Sequence, residues 1–277
     1  MQTLRETLLQ YYTDHKAIPA FNIDSFEIFQ AVEMAVAESK LPCVVQLSHG
    51  EDDFIEAEKL FLLTKKAQLN GLPIYLNMDH CHDLTRMENL VKLGFDMVHF
   101  DGSNLDYQQN LNTAQSFVKK LKEINPNVVV EVEFNKINLI ENGVNPDSYT
   151  SPPQALEFMQ KTQADLLAVS IGNMHGVNAD HTSENINLDL LTEISTVLPS
   201  QLFTLHGGSG IDLAQIKSAI GLGIVKININ TDLRLAFKKS LLTSINTSPL
   251  DRIYEYFEKP IVEVKKVAIE KLNSFAI

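Results

Sequence analysis

The sequence predicts a closed (β/α)8 barrel, and three observations carry that expectation. Short apolar runs alternate with amphipathic stretches eight times along 277 residues, the pattern of a parallel sheet covered by helices. Nearly every apolar run also ends on a polar, ligand-capable residue: Asn22, Ser48, Asp79 and His80, Asp101, Glu133, His175, His206, Asn228. In a barrel these ends share one rim, where active sites are built. Finally, no linker or low-complexity segment interrupts the chain, so residues 1–277 are expected to form one domain. An apolar content of 44% supplies a core of that size.

The elements follow in order. Ala17 to Phe21 reads as the first strand, and Phe26, Phe29, Val32 and Val36 place a helix from about Ser25 to Ser39 by their spacing. Cys43 to Leu47 is the second strand, followed by a helix through Leu60 and Ala67. Pro73 to Met78 is the third, with a helix from Leu84 to Leu93, and Met97 to Phe100 the fourth, with a helix near Leu105 to Ile124. Val128 to Val132 is the fifth strand. Ser151-Pro152-Pro153-Gln154 then has the cap, the first-turn proline and the third-position glutamine of a helix start. Asp165 to Ser170 is the sixth strand and Gln201 to Leu205 the seventh, after which Asp212 and Gln215 mark another helix start. Ile224 to Asn228 is the eighth, with its helix from Thr231 to about Ile245. Further helix in Asp251 to Phe275 either caps the barrel or packs on another subunit.

The totals exclude several functions. A formal charge of −12 argues against nucleic acid as a partner, because phosphate-backbone binding needs a basic face. Two cysteines, Cys43 and Cys81, give neither a disulfide framework nor a metal knuckle. Met1 to Tyr12 has no apolar signal core and no run reaches membrane-spanning length, so a soluble cytoplasmic protein without membrane partners is expected.

Three strand ends carry the chemistry. His80, His175 and His206 come from the third, sixth and seventh units, and three neutral imidazoles with an open fourth position make a catalytic zinc arrangement. Asp79 adjoins His80 and is placed to orient a ligand or move a proton. Asp101 and Glu133 sit on adjacent strands and offer a second or alternative metal position; a buried ion pair or a helix cap is the plainer reading. Gly176, Gly207-Gly208-Ser209 and Asn228 to Thr231, including Asn230, cluster where barrels hold a phosphate. Lys226 shares the inward face with Asn228, either as a Schiff-base lysine or paired with a carboxylate. His82, two residues after His80, leaves room for a metal-dependent hydrolase. His15, His49, His99 and His181 read as surface or supporting residues.

Together these blocks resemble the class II, zinc-dependent ketose-bisphosphate aldolases. The matching segments are Ala20-Phe21-Asn22, Gln46-Leu47-Ser48, Asp79-His80, Asp101-Gly102-Ser103, Glu131-Val132-Glu133, Tyr149 to Pro152, Ile171 to Gly176, His206 to Gly210 and Lys226 to Arg234. They run in family order over nearly the whole chain. The resemblance implies reversible aldol cleavage of a ketose 1,6-bisphosphate, of the fructose or tagatose type, to dihydroxyacetone phosphate and an aldehyde. It implies Zn²⁺ on His80, His175 and His206 to polarise the carbonyl and stabilise the enediolate, with Asp79 exchanging the proton of the C4 hydroxyl. Glu141 occupies the place of the family's loop base, and Gly176, Gly207, Ser209, Asn228 and Thr231 would hold the shared phosphate near a monovalent cation (Na⁺ or K⁺). Homodimers or homotetramers are typical of such proteins. The chain departs from the pattern at Asn138-Leu139, where the family usually carries Gly-Gly, and at Asn230, which stands where fructose-type enzymes commonly carry Asp. Glu270 to Asn273 also lacks an arginine for the second phosphate. A sugar-phosphate sensor without catalysis is the remaining alternative.

Overall fold

The computed structural model describes residues 2–143, 145–179, 183, 185–247 and 251–277. In chain order the elements are α1 (Leu4–Thr13), β1 (Ile18–Asn22), α2 (Phe26–Ser39), β2 (Cys43–Leu47), α3 (His49–Ile55), α4 (Ala57–Leu69), β3 (Ile74–Cys81), α5 (Leu84–Leu93) and β4 (Met97–Asp101). There follow α6 (Tyr107–Ile124), β5 (Val129–Glu133), α7 (Pro152–Thr162), β6 (Leu166–Ala168), α8 (Leu188–Val197), β7 (Leu202–Leu205), α9 (Leu213–Gly221), β8 (Ile224–Ile229), α10 (Thr231–Thr247) and α11 (Ile253–Phe275). The eight strands pair in parallel and in sequence order, and β8 closes on β1. The expected barrel is the observed one.

Strand alternation divides the core in two. Outward residues such as Val45, Leu76, Val98, Val130 and Ile227 pack under the helices, while Ile18, Ala20, Val44, Tyr75, Met97 and Val129 fill the barrel floor. Helix starts are fixed locally. The Ser25 hydroxyl accepts from the Ile28 N–H, and Asp83, Asp106, Asn187 and Asp212 cap α5, α6, α8 and α9 in the same way.

Three features went beyond the sequence reading. Helix α1 plugs the bottom of the barrel: Leu4 and Leu8 join the floor cluster, and the Thr7 hydroxyl lies 2.8 Å from the Tyr75 hydroxyl. The helix expected after β2 is broken into α3 and α4 at Glu56, which has φ +68°. There the Asp52 side chain accepts the Ala57 N–H at 2.7 Å and restarts the helix. The C-terminal helix α11 lies against α10 and α2, and the Phe275 carbonyl accepts the Ala17 N–H at 2.9 Å, so the tail flanks the barrel wall. Among the described residues, no helix is long and apolar enough to cross a membrane.

Candidate active site

A cavity of about 550 Å³ opens at the C-terminal rim of the barrel. Asn22, Ser48, Asp79, His80, Asp101, Glu133, His175, Gly176, Gly207, Ser209, Asn228, Asn230 and Thr231 all line it, from strand ends and the loops that follow them. His206 lies fully buried at its floor. Gly208 stands behind the wall, where its N–H donates to the Asn228 carbonyl at 3.0 Å. Glu141 is exposed in a short 3-10 turn, Ile140–Asn142, outside the cavity lining.

The end of β3 explains how two neighbours reach the same mouth. Successive strand residues normally face opposite ways. Here β3 pairs with β4 through Met78↔Val98 and resumes at Cys81↔Phe100, so Asp79 and His80 together stand against His99. This is a bulge, and His80 adopts φ +47° within it. Both side chains consequently turn inward.

The three imidazoles converge. Ring centroids are 4.6 Å apart for His80 and His206, 5.0 Å for His80 and His175, and 6.0 Å for His175 and His206. A point about 3 Å from all three centroids exists, which matches a zinc–nitrogen bond of about 2.0–2.1 Å plus roughly one ångström from nitrogen to ring centre. Two of the rings also have an oriented partner. His80 Nδ1 lies 2.9 Å from Asp101 Oδ2, leaving Nε2 buried and without a hydrogen-bond partner. His206 Nε2 lies 2.7 Å from Glu131 Oε1, which turns Nδ1 toward Asn228. A carboxylate behind a histidine is the usual support of a metal-binding imidazole. Potential ligand atoms of Asp79, His80, His99 and His206, and separately of His80, Asp101 and Glu133, lie within 4.8 Å of one another. His175 is in neither of these tighter sets and approaches from the rim.

Electrostatics fit a cation. Burial opposes charge on Asp79, but the charges of His80 and Lys226 outweigh it and hold its carboxyl well below the usual carboxylate range. Glu131 and Asp101 are held low against their burial in the same way, chiefly by Lys226 and by His80 respectively. Burial and the neighbouring imidazoles push His175 down to about 3 and also lower His206, so both rings are neutral at ordinary pH and ready to ligate. Lys226 Nζ sits 3.1 Å from Glu131 Oε2 and 4.0 Å from Asp79 Oδ1, deep in the barrel. Of the two readings of this lysine, the carboxylate pair is the one observed. His82 contacts the Asp101 carbonyl at 2.7 Å and stays outside the three-ring cluster.

The glycine turn after β7 is sterically required. Gly207 has φ +63°, and a Cβ there would come within 1.9 Å of the Met174 carbonyl oxygen. That contact holds the turn against the loop carrying His175. Ser209 and Asn228 beside it, and the N-terminus of α10 at Thr231, present a polar concavity suited to an anion.

Some supporting residues were not singled out from sequence. Glu131 is one, although it precedes Glu133 by two positions and period-two alternation places both inward. Glu51 is another, buried beside the mouth. It accepts from Asn22 at 2.9 Å, the Ser48 N–H at 2.6 Å, Asn230 at 3.1 Å and Arg234 at 2.8 Å. Ser48 and Glu51 form the Ser-x-x-Glu signature of a helix start, which was the available signal. His99, read as a surface or supporting residue, is fully buried beside Asp79. His15 is exposed at the opposite end of the barrel, His49 is largely exposed, and His181 lies outside the described residues.

A rim of three histidines and paired carboxylates on a (β/α)8 barrel is a donor set that could hold a metal ion, as lyase and hydrolase sites do. The family model for class-II fructose-bisphosphate aldolase matches residues 2–276, and the chain belongs to that family of lyases. It is 32% identical over 244 residues to a fructose-bisphosphate aldolase of Mycoplasma pneumoniae, covering 86% of this chain and 82% of that one. It is 30% identical over 243 residues to a sulfofructosephosphate aldolase of Alkalicoccus urumqiensis, covering 86% and 83%. The crystal structure of the YdjI aldolase from Escherichia coli K12 superimposes with a TM-score of 0.83 at 27% identity, over 99% of this chain and 97% of that one.

Proposed function

We propose that this protein is a zinc-dependent aldolase that reversibly cleaves a ketose 1,6-bisphosphate, with fructose 1,6-bisphosphate as substrate, to dihydroxyacetone phosphate and glyceraldehyde 3-phosphate. The observation that carries the proposal is the convergence of His80, His175 and His206, with His80 Nε2 buried and unpartnered. These three residues hold the zinc, and Asp101, Glu133 and His80 offer a second divalent position. The ion when bound supplies Lewis-acid chemistry at the ketose carbonyl.

The chain's own residues do the rest. Asp79, fixed by Gln46 at 3.0 Å and Asn228 at 3.2 Å, exchanges a proton with the C4 hydroxyl. Gly176, Gly207, Ser209, Asn228 and Thr231 hold the phosphate common to substrate and dihydroxyacetone phosphate, with a monovalent cation beside it. Asn22, Ser48 and Asn230, locked together by Glu51, face the sugar hydroxyls. Glu141 moves the proton at the dihydroxyacetone phosphate carbon once its loop brings it over the mouth. The working enzyme is a cytoplasmic homodimer or homotetramer of a single-domain chain.

The test is a coupled assay of zinc-loaded protein on fructose 1,6-bisphosphate, tagatose 1,6-bisphosphate and a sulfonated fructose phosphate, with metal content measured in parallel. Cleavage of fructose 1,6-bisphosphate that disappears with chelator and returns with Zn²⁺ is expected. Preference for another ketose would reassign the substrate, and binding of dihydroxyacetone phosphate without any cleavage would identify a sensor.

A further inference from the structure

We infer that His99 is a positioning residue, which holds the β3 bulge and thereby aims both Asp79 and His80 into the mouth. Asp79 and His80 oppose the single residue His99 across the β3–β4 pair, so the bulge removes the ladder partner of the His80 N–H. The His99 side chain replaces that partner: in the neutral ring protonated on Nε2, Nδ1 accepts the His80 N–H at 3.1 Å. The same Nδ1 lies 3.3 Å from Asp79 Oδ1, and Nε2 faces Glu133 Oε2 at 3.4 Å. One fully buried ring therefore touches the backbone of a candidate zinc ligand, the carboxylate assigned to the C4 hydroxyl, and a carboxylate of the second divalent position.

The geometry makes the ring more than core filling. His80 is not glycine, yet it adopts φ +47°, a conformation that persists only where surrounding contacts over-determine it. An N–H left unpaired in that buried bulge would favour return to regular pairing, which would swing either Asp79 or His80 out of the mouth. An apolar side chain of similar size would fill the space and leave the bulge without its acceptor.

The inference rests on the aldolase reading for its catalytic readout but not for its metal readout. The full-length protein is compared with His99→Asn, His99→Gln and His99→Met. An asparagine carbonyl falls near the position of Nδ1, where it accepts the His80 N–H; glutamine is one methylene longer, and methionine offers only a weak acceptor. Zinc affinity is read by competition with a chromogenic chelator, and kcat and KM by cleavage of fructose 1,6-bisphosphate.

His99→Asn is expected within about threefold of wild type in zinc affinity, and His99→Gln and His99→Met about 10- to 100-fold weaker, the range for groups that orient metal ligands. In the same two variants kcat falls while KM stays within about twofold, because the group acts on the chemistry more than on binding. Unchanged zinc affinity and kcat in all three variants would overturn the inference. So would His99→Asn as impaired as His99→Met. If His99→Met does not fold, the Asn–Gln comparison decides alone. A wild-type protein that cleaves no ketose bisphosphate refutes the aldolase reading, whereas the order of zinc affinities still judges His99.

Discussion

Replacing Glu131 by glutamine separates two jobs that one carboxylate performs. Glu131 is fully buried and touches His206 Nε2 at 2.7 Å, the Thr204 hydroxyl at 2.6 Å and Lys226 Nζ at 3.1 Å. The substitution keeps the shape and removes the charge. Lys226, also fully buried, is left with Asp79 at 4.0 Å as its carboxylate. Breaking one partner of a buried ion pair costs about 3–5 kcal/mol, because the other charge stays desolvated. The second effect falls on His206, whose orienting acceptor is weakened, with a loss of about 10- to 100-fold in metal affinity. Urea unfolding reads the first quantity and chelator competition the second. The double variant Glu131→Gln with Lys226→Met removes the stranded charge as well. It should recover most of the stability and none of the zinc affinity. A single variant within about 1 kcal/mol of wild type, or a double variant no more stable than the single one, would refute this account of the pair.

Further outcomes follow from the same geometry. His175 has a folded pKa near 3 against about 6.5 when unfolded, so below pH 6.5 only the unfolded chain takes up that proton. Its contribution to stability is full above pH 6.5 and is lost as pH falls toward 3, about 2 kcal/mol by pH 5. With chelator present, His175→Gln should shrink the stability drop between pH 7 and pH 5 by that amount, and an identical drop would contradict the assignment. Borohydride reduction in the presence of fructose 1,6-bisphosphate should trap no adduct on Lys226, which is held by Glu131; mass spectrometry showing one would restore a Schiff-base route. At the opposite end, Leu8→Ala should cost about 2–5 kcal/mol by removing the plug of the barrel floor, with zinc affinity unchanged in the chelator assay.

The barrel was legible because its strands are buried on both faces and read as continuous apolar runs, as in Cys43 to Leu47 and Ile224 to Ile229. The rim was legible because polar residues at strand ends are conspicuous after such runs. Helix α1 was missed because its few apolar residues, Leu4 and Leu8 among them, face a surface that exists only after the barrel closes. His99 was read no further than as a surface or supporting residue for a related reason: alternation places it inward, but only the bulge at Asp79 and His80 gives its ring a task. Glu51 was hidden because a helix-start glutamate ordinarily serves its own backbone, whereas here it also gathers Asn22, Asn230 and Arg234 from β1, the loop after β8 and α10.

The segment after β5 is stitched to the segment after β6. His175 donates its N–H to the Asn138 carbonyl, and Ile140 donates its N–H to the His175 carbonyl, both at 2.9 Å. Glu141 follows directly on this two-rung clasp. For the glutamate to swing over the mouth, the chain must either pivot beyond Ile140 or unfasten the clasp and carry an imidazole with it. In the second case, arrival of the carboxylate proposed as the loop base and displacement of the His175 ring would be one event, and a locked clasp would slow both together.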